Sequence, residues 1–420
     1  MKSVAIIGAG LAGLATAYWL RRHGVSVTVV DKRQAPGEGT SFANGGMLTP
    51  SQANPWNSPD TSAHFLGWIG RKESPLAIRP SALPGLAGWG VRFLLESLPS
   101  RYRRNTASNL ALGSYSLDMH KALVAETNLQ FDRARVGTLQ IFRSQPAFDE
   151  GMRAAGFLRD RGIAVRPLDA AATLELAPTL RESRLRLAGG IHFPEDESGD
   201  ALLFCRALAR YLQADGVTLV YGADITGIAA EGPTVRALVS SHDRIDADAF
   251  VVAAGPGSNA LLRHCGIHSP IYPVKGYSLT CDIAGLSSVP AIPLVDMGRK
   301  IALTPLGDRL RIAGTAEFGG YDTNLDERRL GSILRNACEI MPALRNVPAA
   351  KFSRWAGLRP VTPTGFPMLG RTRLDNLFTN AGHGPLGWTF AAGTGKIVAD
   401  IIATGTHDLA TVTAVGGRIP

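Results

Sequence analysis

The stretch Val4-Ala5-Ile6-Ile7-Gly8-Ala9-Gly10-Leu11-Ala12-Gly13, read together with Val27-Thr28-Val29-Val30-Asp31, decides the fold of this chain. A short apolar run that meets glycines at this spacing reads as a buried strand, a tight turn and the first turn of a helix. Gly8 permits the turn, Gly10 lets backbone approach a pyrophosphate with no Cβ between, and Gly13 lets the helix pack close to the strand. The helix predicted over 11–23, stopped by Gly24, aims the free N–H groups of its first turn, Leu11 and Ala12 among them, at phosphate. Asp31 ends the second strand, where a carboxylate accepts both ribose hydroxyls of an adenosine half and repels a 2′-phosphate. Lys32 and Arg33 soften that repulsion, and Lys32 joins Asp31 as a candidate contact. The unit binds a dinucleotide, and its fingerprint alone does not separate NAD from FAD.

Working outward, 420 residues suffice for two domains with separate cores. No stretch approaches the roughly 20 apolar residues that span a bilayer, and the N-terminal run is too short and too glycine-patterned for a signal sequence. The expected location is cytoplasmic. Cys205, Cys265, Cys281 and Cys338 lie far apart without CxxC spacing, which reads as free thiols and argues against a metal site. The net charge of +9 comes from scattered arginines with no aromatic-basic motif, so nucleic acid is not an expected partner. Acidic substrates or an anionic membrane surface suit that spread better.

The fold class is α/β. After Asp31 a glycine-rich loop over 36–50 is suited to wrapping a flat ligand. Next, Trp68, Leu76, Ile78, Leu86, Trp89, Phe93, Leu94 and Leu95 alternate with Arg71, Lys72, Arg79 and Arg92, a pattern for amphipathic helices covering a second domain rather than for a membrane-touching patch. Helices are expected over 102–127 and 146–161, with a strand over 137–142 between them. The nucleotide domain resumes near residue 195, with a helix over 201–213 capped by Asp200 and strands over 217–220 and 249–255. Gly255 closes the last of these, at a sheet edge that a cofactor crosses. Short alternating strands over 276–282, 300–305 and 310–314 suggest an antiparallel sheet, and a glycine-rich loop feeding a long apolar helix ends the chain.

Several of these segments carry a family resemblance: Ser41-Phe42-Ala43-Asn44-Gly45-Gly46, the Val251–Gly255 strand, Pro273-Val274-Lys275-Gly276-Tyr277-Ser278, Trp355-Ala356-Gly357-Leu358-Arg359-Pro360 and Gly382-His383-Gly384-Pro385-Leu386-Gly387-Trp388-Thr389. The chain resembles the FAD-dependent amino-acid oxidoreductases of the D-amino-acid oxidase and glycine oxidase superfamily, and within it the small-subunit family of bacterial D-amino-acid dehydrogenases. The resemblance implies FAD rather than NAD. It also implies a Rossmann-like three-layer FAD domain (1–60, 190–265 and 345–420) and an α+β substrate domain (61–189 and 266–344) whose antiparallel sheet faces the flavin. By the same resemblance Gly8, Gly10, Gly13, Asp31 and Ile225 hold the ADP half, and Asn44, Gly45, Gly46, Met47 and Leu48 run along the flavin ring. Gly382, His383, Gly384, Leu386, Gly387, Trp388 and Thr389 form the loop at its pyrimidine edge.

Moving a hydride from Cα to flavin N5 requires no covalent nucleophile, only a held carboxylate, a neutral amine and an aimed Cα–H. A guanidinium binds a carboxylate with two parallel hydrogen bonds, and Arg359 matches an arginine of glycine-oxidase-like relatives. Its other reading is an ion-pair partner or a flavin-side contact. Tyr277 and Lys275 share a strand expected to line the substrate cavity, although a strand tyrosine also packs without function. His383 matters through its backbone, and His192 reads as a core residue. Asp196, Glu197 and Asp200 read as a solvated loop and helix cap, while Trp355 and Trp388 are candidate walls of the site.

The resemblance implies oxidation of a D-amino acid to an imino acid, then hydrolysis to a 2-oxo acid and ammonia, with electrons passing to a quinone or other respiratory-chain acceptor. Peripheral association with the cytoplasmic face of the inner membrane and a hetero-oligomer are compatible with it. D-proline or D-hydroxyproline dehydrogenase, an oxygen-using oxidase and a non-catalytic flavin subunit stand as alternatives.

Overall fold

The computed structural model describes residues 2–59, 76–241 and 243–406. Trp68, Arg71 and Lys72 of the amphipathic segment lie outside the described residues. Six strands form the first sheet, in the order Met368–Arg371, Leu377–Ala381, Ala249–Val252, Ser3–Ile7, Ser26–Asp31 and Thr218–Tyr221. Every neighbouring pair is parallel except the first. Parallel strands are covered on both faces, which is why their sequences are continuous apolar runs. Val4, Ile6, Val27, Val29 and Val251 pack against helices Leu11–Arg22, Ala201–Ala214 and Gly387–Thr404. Ala5, Ile7, Val30, Phe250 and Val252 turn the other way, onto a small antiparallel sheet of Ile225–Glu231, Thr234–Ser240 and Arg244–Asp246. The result is three layers.

The second sheet has nine strands. Eight run in the order Ser353–Val361, Tyr272–Asp282, Arg309–Phe318, Ile301–Leu306, Leu294–Asp296, Thr138–Phe142, Gly189–Phe193 and Arg166–Asp169, and Leu76–Ile78 pairs beside Arg309–Phe318. Its pairing is antiparallel apart from two parallel contacts, Leu294–Asp296 with Thr138–Phe142 and Leu76–Ile78 with Arg309–Phe318. Helix Glu327–Ile340, capped by Asp326, covers one face with Leu330, Ile333 and Ala337.

Two strands depart from the sequence-based division. Residues 190–193 and 353–361, expected in the FAD domain, lie in strands Gly189–Phe193 and Ser353–Val361, which are hydrogen-bonded into the nine-stranded sheet. A strand joins whichever sheet holds its partner, and both partners lie far away in sequence. Helix Pro99–Thr127 packs along helix Gly387–Thr404 closely enough that a Cβ at Gly393 would come within 2.7 Å of Ser116. Helix Leu83–Glu96 buries Leu86, Trp89 and Phe93 against Tyr272, Val274 and Phe318, but leaves Leu94 and Leu95 exposed. No helix among the described residues is long and apolar enough to cross a membrane.

Candidate active site

A continuous cavity of about 1720 Å³ runs from the carboxyl edge of the parallel sheet to the face of the nine-stranded sheet. At its nucleotide end Gly8 takes φ +114°, a conformation that favours glycine, and an added Cβ would stand 2.5 Å from the Ala253 carbonyl oxygen. The Gly13 position is tighter, since a Cβ there would lie 1.8 Å from the Gly8 carbonyl oxygen. Asp31 braces the turn, accepting the Ala9 N–H at 2.7 Å and the Arg33 N–H at 2.8 Å. Gly10, Leu11, Ala12, Asp31, Lys32, Ile225 and Gly255 all line this end. No side chain caps the Leu11–Arg22 helix through its Gly10 N-cap, although Ser41 Oγ accepts the Leu11 N–H at 3.3 Å.

The loop after this unit is held by its own carbonyls. Ser278 donates to Ala43, Arg311 to Asn44 and Thr304 to Gly45, and the Gly46 carbonyl accepts the Gly199 N–H. Met47–Leu48 then pairs with Glu197–Ser198, and Thr389 Oγ1 accepts the Thr49 N–H. Ala43, Asn44, Gly45 and Met47 reach the cavity, as do His383, Gly384, Gly387 and Trp388 from the closing loop. Gly13, Gly46, Leu48, Gly382, Leu386 and Thr389 stand behind that wall and shape it rather than line it.

Strand parity sorts the other end. In the register of Tyr272–Asp282 with Ser353–Val361, Gly276 faces Gly357, Val274 faces Arg359 and Ser278 faces Trp355. Directly paired residues share a face and neighbours along a strand alternate, so Arg359 projects on the side opposite Lys275 and Tyr277. The Arg359 guanidinium lies across Gly276, where a Cβ would fall 2.3 Å from Cζ. One of its nitrogens donates to the Thr315 carbonyl at 3.1 Å, and Cζ stands 5.5 Å from the Trp56 ring centre. No carboxylate pairs with it among the described residues. Its remaining accessible surface opens into the cavity; the surrounding protein desolvates it and lowers its pKa to about 10.

Lys275 and Tyr277, expected at the substrate, are instead occupied elsewhere. Tyr277 donates to Glu317 at 2.7 Å, and Lys275 Nζ contacts Asp322 at 2.9 Å and Glu317 at 3.7 Å. Arg79 and Arg329 complete this network around Glu317. Lys275 does not line the cavity, and Tyr277 contributes to the wall while its hydroxyl turns away. Burial and Glu317 together push the phenol pKa up. His383 is buried, with Nε2 3.0 Å from Asn380 Oδ1 and 3.1 Å from Thr394 Oγ1; desolvation lowers its pKa to about 4, which keeps the ring neutral.

The reading of Asp196 and Glu197 as a solvated loop is also corrected. Both are buried: Asp196 accepts the Ser51 and Thr138 hydroxyls at 2.6 Å each, and Glu197 pairs with Arg133. Burial raises the Asp196 pKa to about 7. Asp200 does cap its helix, accepting the Leu202 and Leu203 N–H groups. Sequence reasoning missed Arg311 and Asn380. Arg311 donates to Asn44 O and Thr280, and Asn380 lines the cavity and donates to Thr16. A lone arginine or asparagine on a strand carries no signal of such a role.

The cavity fits a flavin dinucleotide. Its glycine edge leaves room at Gly10, where only Ser41 Oγ approaches a built Cβ, and at Gly255, where nothing lies within 4 Å. Trp388 lines the wall with an indole N–H that has no partner among the described residues, a donor suited to a cofactor oxygen. The family model of FAD-dependent oxidoreductases matches residues 3–401. This chain belongs to that family.

Among relatives of this FAD-dependent oxidoreductase, the D-amino acid dehydrogenase of Granulibacter bethesdensis is 41% identical over 400 residues, 95% of each chain. That of Dechloromonas aromatica is 40% identical over 405 residues, covering 95% of this chain and 96% of its own. In fold, the oxidoreductase matches glycine oxidase from Geobacillus kaustophilus with a TM-score of 0.75 at 21% identity, over 99% of this chain and 100% of the other. L-proline dehydrogenase from P. horikoshii matches with the same TM-score at 18% identity, over 100% and 99%. These structures share the architecture of the oxidoreductase, and its cofactor is FAD.

Proposed function

We propose that this protein is a D-amino-acid dehydrogenase: it oxidises a D-amino acid to an imino acid, which water converts to a 2-oxo acid and ammonia. The observation that carries the reading is Arg359, a desolvated cation in the cavity wall with no carboxylate partner among the described residues, beside a dinucleotide cradle. An unpaired buried charge is costly unless a ligand of opposite charge meets it, and an amino acid brings a carboxylate. Curated relatives near 40% identity that bear the name D-amino acid dehydrogenase support the substrate class. FAD, when bound, accepts the hydride leaving Cα. Gly8, Gly10, Leu11, Ala12, Asp31, Lys32, Ile225 and Gly255 hold its ADP half, and the loops at Asn44–Met47 and His383–Trp388 enclose its ring. The neutral His383 ring and the engaged Tyr277 and Lys275 leave the carboxylate to Arg359. The test is anaerobic bleaching of flavin absorbance by D- and L-amino acids, proline and hydroxyproline included. If no D-amino acid bleaches the flavin, the reading is lost.

The electrons pass to a quinone at a membrane surface. Helix Leu83–Glu96 and the residues beyond it expose Leu83, Val91, Leu94, Leu95 and Leu98, at 38–59% of their surfaces, beside exposed Arg92, Arg101, Arg103 and Arg104. An apolar stripe flanked by arginines suits an anionic bilayer. Co-sedimentation with anionic but not zwitterionic vesicles, abolished by Val91→Glu with Leu95→Glu, is the expected result. Stoichiometric peroxide in air would point to an oxidase instead. Activity of the single purified chain with an artificial dye separates a catalytic subunit from a passive partner in a hetero-oligomer.

A further inference from the structure

Thr315 violates two local rules at one position. Along Arg309–Phe318 the register slips: Glu317 pairs with Lys275 and Gly314 with Tyr277, so Thr315 and Ala316 together oppose Gly276. At this bulge Thr315 takes φ +57°, a left-handed conformation that suits glycine and that β-branched residues rarely adopt. Its hydroxyl is buried with no hydrogen-bond partner among the described residues. Strain and an orphan hydroxyl both destabilise the folded chain, and glycine would remove both.

The surroundings supply a reason for threonine. The Thr315 carbonyl, turned out of the ladder by the bulge, accepts the Arg359 guanidinium at 3.1 Å. The residue opposite the bulge is Gly276, across which that guanidinium lies. Thr315 also lines the cavity. We propose that Thr315 is a substrate-positioning residue, its carbonyl orienting Arg359 and its hydroxyl hydrogen-bonding the amino acid whose carboxylate Arg359 holds. This rests on Arg359 being the carboxylate clamp. A hydroxyl both donates and accepts, so it serves a carboxylate oxygen or a neutral amine, and rotation between staggered χ1 positions redirects it without moving backbone. The group left unsatisfied in the free protein is satisfied in the complex, which puts its hydrogen bond into substrate affinity.

The experiment measures the D-amino-acid Kd from anaerobic flavin reduction, the limiting reduction rate, flavin content and Tm for Thr315→Val, Thr315→Gly and Thr315→Ser. Thr315→Val keeps the branched shape without the hydroxyl, and Thr315→Gly also relieves the backbone. Both are expected to weaken Kd about ten-fold at unchanged flavin content, a loss typical of one hydrogen bond to a charged group. Thr315→Ser recovers the affinity, and Thr315→Gly raises Tm. A wild-type Kd in both Thr315→Val and Thr315→Gly overturns the assignment, as does a lowered Tm in Thr315→Gly. If Arg359→Lys leaves Kd unchanged, the clamp and this inference fall together; if it weakens Kd while the Thr315 variants do not, only Thr315 is misassigned.

Discussion

The two ends of the cavity are built on different principles. At the nucleotide end the work is done largely by backbone: Gly8, Gly10 and Gly13 lie within six positions, and the Asp31 side chain accepts the Ala9 N–H and so reinforces the same turn. At the proposed substrate end the work is done by one side chain set by three strands, where the Arg359 guanidinium lies over Gly276 and is held by the Thr315 carbonyl. The backbone turn tolerates no added atom at Gly8 or Gly13, whereas side-chain chemistry depends on which way each residue points. The first end is intolerant in shape and the second in charge.

Substitutions sharpen that contrast in descending order of effect. Gly13→Ala drives a Cβ to 1.8 Å from the Gly8 oxygen, so we expect stability to fall by ~3 kcal/mol or more and the protein to lose flavin. A purified variant with full flavin absorbance and wild-type Tm would contradict the backbone account. Arg359→Ala should keep flavin and lower kcat/KM roughly a hundred- to a thousand-fold, as expected for a buried charge pair with substrate. Steady-state kinetics beside a flavin spectrum separate these two variants.

Lys275→Met tests parity directly. It leaves Asp322 and Glu317 short of a cation in a largely buried network, so stability should fall by about 3 kcal/mol while KM stays near wild type. A raised KM at unchanged Tm would return Lys275 to the substrate. The smallest effect is a pH slope. The Asp196 pKa, about 7 when folded, lies above its unfolded value near 4, so the folded protein holds more protons between them and loses stability as pH rises from about 4 to about 7. Asp196→Asn should flatten that part of the Tm–pH curve, where Ser51, Thr138 and the neighbouring Glu195 act on the group. An unchanged slope would assign it to other groups; neutral His383, with its pKa lowered to about 4, gives the opposite sign, stability lost on acidification from about 6.5.

Much of this molecule was legible in its residues. The opening strand, turn and helix, the strand Ala249–Val252, which stops three residues short of the expected Gly255, and the helix Pro99–Thr127, expected from residue 102, follow from apolar runs and glycine punctuation, signals confined to a few neighbouring positions. Sheet membership was not: Gly189–Phe193 looks like any buried strand, and only its partners Thr138–Phe142 and Arg166–Asp169 place it. Side-chain direction was not legible either. Lys275 and Tyr277 sit on the expected strand, yet period-two alternation turns their polar atoms toward Glu317. Burial of Asp196 and Glu197 escaped notice because carboxylates in a loop are usually solvated, and their partners Ser51, Thr138 and Arg133 are remote in sequence.

By itself, then, the order of residues determined the dinucleotide cradle and the presence of an arginine suited to a carboxylate, because both depend on local spacing or on the chemistry of one side chain. Tertiary structure alone decided that Arg359 has no carboxylate partner among the described residues, that Lys275 and Tyr277 face away from it, and that Thr315 is strained beneath it. Register and bulges are long-range hydrogen-bonding choices, and they set which face of a strand meets the cavity.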